Sequence, residues 1–165
     1  MGKETERKFI VKNDIWENFQ KPAPSFIRQG YLLITDETTI RVRYTETNGT
    51  MTIKGKQKGI SRDEYEYKIP LDEAKEIFEN HCQKTLSKNR YKILVGTLIW
   101  EVDEYINALS GIIIAEVELV SENQKIDILP EWIGEEVTID IKFSNAFLAG
   151  SEVEGFNFAC YLNRE

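Results

Sequence analysis

The sequence predicts an α+β fold that is mainly β: an antiparallel sheet closed into a barrel around a charged lumen, with a few helices packed outside. Three observations predict it. Segments rich in β-branched and aromatic residues recur along the 165 residues and are separated by short turn signals. Helical patterning is confined to a few short stretches. Charges alternate with apolar residues in strand after strand, so each strand has one charged face and one apolar face.

The elements follow in order. Residues 3–10, K-E-T-E-R-K-F-I, form a strand that sends Glu4, Glu6 and Lys8 to one side and Thr5, Arg7 and Phe9 to the other. A short helix is expected over 14–19, then strands over 26–34, 38–45 and 50–56, with Asn48-Gly49 as a tight-hairpin cue. Lys58-Gly59 turns the chain into a strand over 62–69, and a helix over 72–82 opens with an acidic turn suited to its dipole. Strands over 88–95, 97–106 and 112–120 are separated by Gly96 and by Ser110-Gly111. A short helix after Ser121 must end by Pro130, and a last strand is expected over 136–143. The tail from Ser151 is less patterned, but Phe156, Phe158 and Tyr161 suit packing onto the domain. With no internal repeat, low-complexity stretch or linker, residues 1–165 are expected to form a single domain.

Composition narrows the function. A content of 41% hydrophobic and 30% charged residues suits one well-buried domain. The net charge of -7 argues against a nucleic-acid partner, because non-specific affinity for DNA comes from Lys and Arg neutralising phosphates. Apolar runs such as residues 112–115 are far too short to span a bilayer, so no membrane partner and a cytoplasmic location are expected. Cys82 and Cys160 have no metal-type spacing and suit reduced thiols. His81 is the sole histidine and leaves no Ser-His or Cys-His triad, so carboxylates and cations carry any chemistry.

Those charges are sorted by sign. Arg41 pairs on one face with Arg43, Lys54 with Lys56, Arg62 with Glu64 and Glu66, Lys88 with Arg90, Glu101 with Asp103, and Glu116 with Glu118. The opposite faces carry apolar residues such as Ile40 and Val42, Trp100 and Val102, and Ala115 and Val117. A solvated outer face would show a loose mixture of Lys, Glu, Thr and Ser. Sorted charge suits a lumen that holds an anion and its metal ions. Converging guanidinium and ammonium groups match an oxyanion of high charge density. Paired carboxylates would repel that anion unless a hard cation, Mg²⁺ or Mn²⁺, came between them. A metal-bound polyphosphate follows.

On these motifs the chain resembles the CYTH superfamily, the triphosphate tunnel metalloenzymes. E-T-E-R-K matches the family's E-x-E-x-K signature, and R-Q-G-Y-L (28–32), R-V-R (41–43), T-I-K-G (52–55), S-R-D-E-Y-E (61–66) and K-N-R (88–90) follow in family order. W-E-V-D (100–103), A-E-V-E-L (115–119) and P-E-W-I-G-E-E-V-T (130–138) complete the series. The chain departs at Ile106-Asn107-Ala108, where many relatives have Phe-x-Gly, and its tail beyond Gly150 has no recognised counterpart.

The resemblance implies an eight-stranded antiparallel tunnel that binds triphosphate groups. It implies that Glu4, Glu6, Glu116 and Glu118 form a metal cluster, with Asp103 and Glu101 adding charge or ordering metal-bound water. Arg41, Arg43, Lys54, Arg62, Lys88 and Arg90 would bind the triphosphate, with Lys56 and Lys142 as further members. Lys8 shares their space and would position the attacking water or a terminal phosphate; with Glu4 and Glu6 it makes up the expected catalytic set. Glu64 and Glu66 would orient the cations by ion pairs or join in metal binding. The activities implied are hydrolysis of inorganic tripolyphosphate, hydrolysis of thiamine or nucleoside triphosphate, and cyclisation of ATP by class IV adenylyl cyclases. The compact chain resembles the inorganic triphosphatases most, as a monomer or homodimer. Outside enzymes, the same features suit a non-catalytic polyphosphate-binding module.

Overall fold

The computed structural model describes residues 2–154; the aromatic tail residues Phe156, Phe158 and Tyr161, and Cys160, lie outside them. Ten strands are found: β1 Glu4–Val11, β2 Ser25–Ile34, β3 Thr38–Tyr44, β4 Gly49–Gly55, β5 Ser61–Arg62, β6 Glu64–Ile69, β7 Lys84–Val95, β8 Leu98–Tyr105, β9 Ile113–Glu118 and β10 Ile133–Glu136. Among the described residues three α-helices accompany these strands: α1 Asn13–Asn18, α2 Leu71–His81 and α3 Asn145–Glu154. The protein is thus α+β and mainly antiparallel β, with the strand order β10-β1-β9-β8-β7-β2-β3-β4-β6.

The expected closed eight-stranded barrel is corrected on both counts, since the sheet has ten strands and its ladder does not close. The reason lies at Asp63. Residues on its two sides pair with different neighbours: Glu64–Ile69 runs along β4, whereas Ser61–Arg62 pairs with β1 through only Glu4↔Arg62 and Thr5↔Ser61. One stretch of chain therefore touches both distant parts of the sheet, which shows how far the sheet curls, but two residue pairs make no continuous seam.

Other boundaries move for local reasons. The strand expected over 136–143 is β10, which ends at Glu136; Asp140 then accepts the Lys142 N–H and starts a 3₁₀ turn at Ile141–Phe143. The helix expected after Ser121 is a single turn in which the Gln124 side chain accepts the Val120 N–H. Asn107, in the departure from the family pattern, sits at φ 60, a left-handed conformation that asparagine tolerates better than most residues. Asn48-Gly49 does lie in the β3–β4 hairpin, but Gly49 is required by packing, because a Cβ there would meet the Ala74 Cβ of α2 at 2.6 Å.

The apolar faces bury two clusters. On the outer face, Trp16 of α1 packs with Trp132, Trp100, Tyr91, Phe9 and Val117. The second cluster joins Leu148 and Ala149 of α3 to Tyr31, Leu86, Tyr105, Ile112 and Ile114. By strand alternation these last five share the face that carries the charges. That face reads Glu4, Glu6, Lys8, Ile10 along β1 and Glu118, Glu116, Ile114 along the paired β9, so it is charged at one end and apolar at the other. The expectation of a charged lumen is thereby refined: the charges form a band, and α3 covers the apolar end beside it.

Candidate active site

Alternation on the paired strands brings the charged residues into facing positions. Arg41 and Arg43 come from β3, Lys54 from β4, Arg62 from β5, Lys88 and Arg90 from β7, and Glu116 and Glu118 from β9. Two cavities hold this band, one of about 1010 Å³ and one of about 630 Å³, and Glu6, Arg41, Lys54, Arg62 and Asn145 line both.

The carboxylates and cations are paired with one another. Lys54 Nζ donates to Glu4 Oε2 at 2.9 Å and lies 2.7 Å from Glu64. Arg62 bridges Glu4 at 2.7 Å and Glu6 at 2.9 Å. Arg43 meets Glu66 at 3.0 Å, and Arg41 donates to the Thr52 hydroxyl at 3.2 Å. Lys8 Nζ stands 2.8 Å from Glu116 and 3.8 Å from Glu6. Burial alone would lower the Lys8 ammonium, but Glu116 and Glu6 outweigh it and the net shift is upward, so Lys8 stays charged. Glu116 is likewise well below the ordinary carboxylate range: burial opposes its charge, and Lys8, Arg90 and Lys88 more than offset that.

Deeper lies a buried trio. Asp103, with no exposed surface, accepts from Lys88 Nζ at 2.5 Å and from Arg90 Nε and Nη2 at 2.6 Å each. Arg90 also pairs with Glu101. Burial pulls Lys88 down to about 8 in spite of Asp103. Lys88 and Asp103 line neither cavity, whereas Arg90, Glu101 and Glu116 line the larger. Of the remaining expected residues, Lys56 sits at the rim of the smaller cavity and pairs with Glu37 at 2.6 Å, and Lys142 lies in the 3₁₀ turn outside both linings.

Sequence reasoning missed Thr52, Lys84 and Asn145. Thr52 is in register with Lys54 and Lys84 is in register with Lys88, so period two points to both. Asn145 has no such signal, being the first residue of a helix that the pattern did not announce.

Among the described residues, no group of three or more carboxylate, imidazole or thiol side chains is arranged to hold a metal ion, because most of the carboxylates are turned to cations. Glu118 differs. No lysine or arginine among the described residues pairs with it, and burial together with Glu4, Glu64, Glu101 and Glu6 raises its pKa. Hard oxygen donors around a carboxylate that lacks a cation fit a divalent metal. Glu118→Gln is therefore expected to raise the melting temperature in EDTA by relieving like-charge repulsion. A lowered melting temperature in that experiment would contradict the crowding.

A sheet curled around facing arginines, lysines and glutamates defines a protein built to surround a small, highly charged anion. The chain belongs to the CYTH domain family, whose model matches residues 2–143. It is 43% identical over 157 residues to an inorganic triphosphatase of Acetivibrio thermocellus, covering 94% of this chain and 99% of that protein. An inorganic triphosphatase of Nitrosomonas europaea is 36% identical over 150 residues, covering 88% and 96%. A crystal structure of an inorganic triphosphatase superposes with a TM-score of 0.61 at 33% identity, over 88% of this chain and 93% of that one.

Proposed function

We propose that the protein hydrolyses inorganic tripolyphosphate to pyrophosphate and phosphate with the help of a divalent cation, Mg²⁺ or Mn²⁺. The observation that carries this reading is the paired band itself: Arg41, Arg43, Lys54 and Arg62 all line the larger cavity, and Arg43, Lys54 and Arg62 are partnered there by carboxylates that a phosphate can replace. The 43% identity to an inorganic triphosphatase supports the substrate.

The reaction needs charge neutralisation and in-line placement more than covalent chemistry. The oxygen of a water bonds to the terminal phosphorus. The bond from that phosphorus to the bridging oxygen breaks, pyrophosphate leaves, and the water's proton goes to solvent or to a phosphate oxygen. Phosphate oxygens take over the guanidinium groups of Arg41, Arg43 and Arg62 and the ammonium of Lys54; release of the first two frees Glu66, and release of Arg62 and Lys54 frees Glu4 and leaves Glu6 with Lys8 alone. Glu4, Glu6 and Glu118 would then hold the divalent cation, which when bound neutralises phosphate charge and acidifies water. Lys8, held charged by Glu116 and Glu6, acts as a cation on the terminal phosphate or the water oxygen and not as a base. Asp103 serves as the anchor of Lys88 and Arg90.

The test is phosphate release from tripolyphosphate, ATP and thiamine triphosphate with Mg²⁺ or Mn²⁺, alongside an assay for cyclic AMP. Tripolyphosphate is expected to give the highest kcat/KM and excess EDTA to abolish turnover. Equal turnover in EDTA, or cyclic AMP as the main product, would overturn the proposal.

A further inference from the structure

The wall between the two cavities is formed in part by Asn145, the first residue of α3, which lies beyond the span matched by the family model. Its carboxamide is oriented by its neighbours. Oδ1 accepts from Lys88 Nζ at 3.0 Å and from the Tyr105 hydroxyl at 2.7 Å. An ammonium has no acceptor, so the oxygen and not the nitrogen of the amide must face Lys88. Nδ2 is thereby turned the other way, 3.5 Å from Glu116 Oε1. An amide nitrogen carries two hydrogens, and only one can serve Glu116. Lys88 itself has no exposed surface and lines neither cavity, whereas Asn145, 3.0 Å from its Nζ, lines both.

We propose that Asn145 is a substrate-contacting residue: its Nδ2 donates a neutral hydrogen bond to a phosphate oxygen, and the charge of Lys88 reaches that wall only through the fixed carboxamide. The inference rests on the cavities being a triphosphate site. A neutral donor suits this position, since a further cation would compete with Lys8 and Arg90 for Glu116, and a carboxylate would repel both Glu116 and the anion.

Asn145→Asp and Asn145→Ala separate contact from scaffolding. Aspartate keeps the shape and the oxygen that Lys88 and Tyr105 address, but replaces the donor with an anionic oxygen. Alanine removes both. A purely structural role predicts that Asp is tolerated better than Ala; contact with the anion predicts the reverse. The experiment is calorimetric titration of tripolyphosphate into wild type and both variants in EDTA, with melting temperatures recorded for each. We expect wild type to bind, Asn145→Ala to bind more weakly by at least threefold, and Asn145→Asp to be weaker than Ala by a further tenfold or more. Wild-type binding with Ala and Asp within twofold of it, or with Ala the weaker of the two, overturns the role of Asn145 and leaves the triphosphate site standing. Failure of wild type to bind tripolyphosphate in EDTA and also with Mg²⁺ overturns the site itself. Should Asn145→Asp not fold, the Ala variant alone decides, with unchanged affinity counting against the proposal.

Discussion

Asp103→Asn is expected to destabilise the protein by about 3–5 kcal/mol, the usual cost of removing one partner from a buried ion pair. Asp103 is fully buried and is addressed by three donors, Lys88 Nζ and Arg90 Nε and Nη2. An asparagine keeps the volume, but its amide hydrogens would meet donors, and two buried cations would lose their common anion. The measurement is urea unfolding in EDTA, so that no metal contributes. Glu136→Gln is the matched control: its pair with Arg7 is partly exposed and its loss should cost less than about 1 kcal/mol. A loss below that figure for Asp103→Asn would mean that the trio does not hold β7 to β8 as the geometry requires.

Arg41→Ala should give the largest effect on substrate. Arg41 is 7% exposed and lines both cavities, and a charge-assisted contact is worth about 1.5–3 kcal/mol, which converts to about 10- to 150-fold in the Kd for tripolyphosphate. Stability should change little, because Glu66 keeps Arg43 at 3.0 Å as its partner. Arg7, on the opposite face of β1 and paired with Glu136, supplies the contrast: Arg7→Ala should leave hydrolysis intact. Unchanged affinity in Arg41→Ala, or loss of turnover in Arg7→Ala, would reverse the inside and outside of the sheet.

Which side chains share the inner face was readable from the sequence because strand geometry has a period of two. Glu4, Glu6 and Lys8 on β1 and Glu116 and Glu118 on β9 need only alternation, and the register Glu6↔Glu118, Lys8↔Glu116 then sets them opposite one another. Depth was not readable. Lys88 and Asp103 have the same parity as Arg90 and Glu101, yet α3 covers the end of the face where they lie. That helix escaped notice because its apolar residues, Leu148 and Ala149, pack against the inside of the sheet and produce no strong amphipathic signal against solvent. Closure was overestimated for a related reason. It depends on how one chain segment bends at Asp63, and a pattern that reads smoothly through Arg62, Glu64 and Glu66 carries no mark of the two-residue contact that results. The family resemblance groups Glu6 with Glu4, Glu116 and Glu118 as one acidic cluster. The structure gives Glu6 two cations and leaves the crowding at Glu118.

The most direct measurement of the central claim is ³¹P NMR of tripolyphosphate incubated with the protein, first in EDTA and then with Mg²⁺ or Mn²⁺ in excess, the metal being stripped on a chelating resin before each spectrum is taken. The tripolyphosphate signals should persist in EDTA and, once metal is added, give way to pyrophosphate and phosphate in equal amounts. Tripolyphosphate that survives with either metal, or that disappears at the same rate in EDTA, would contradict a metal-dependent triphosphatase built on the charged band.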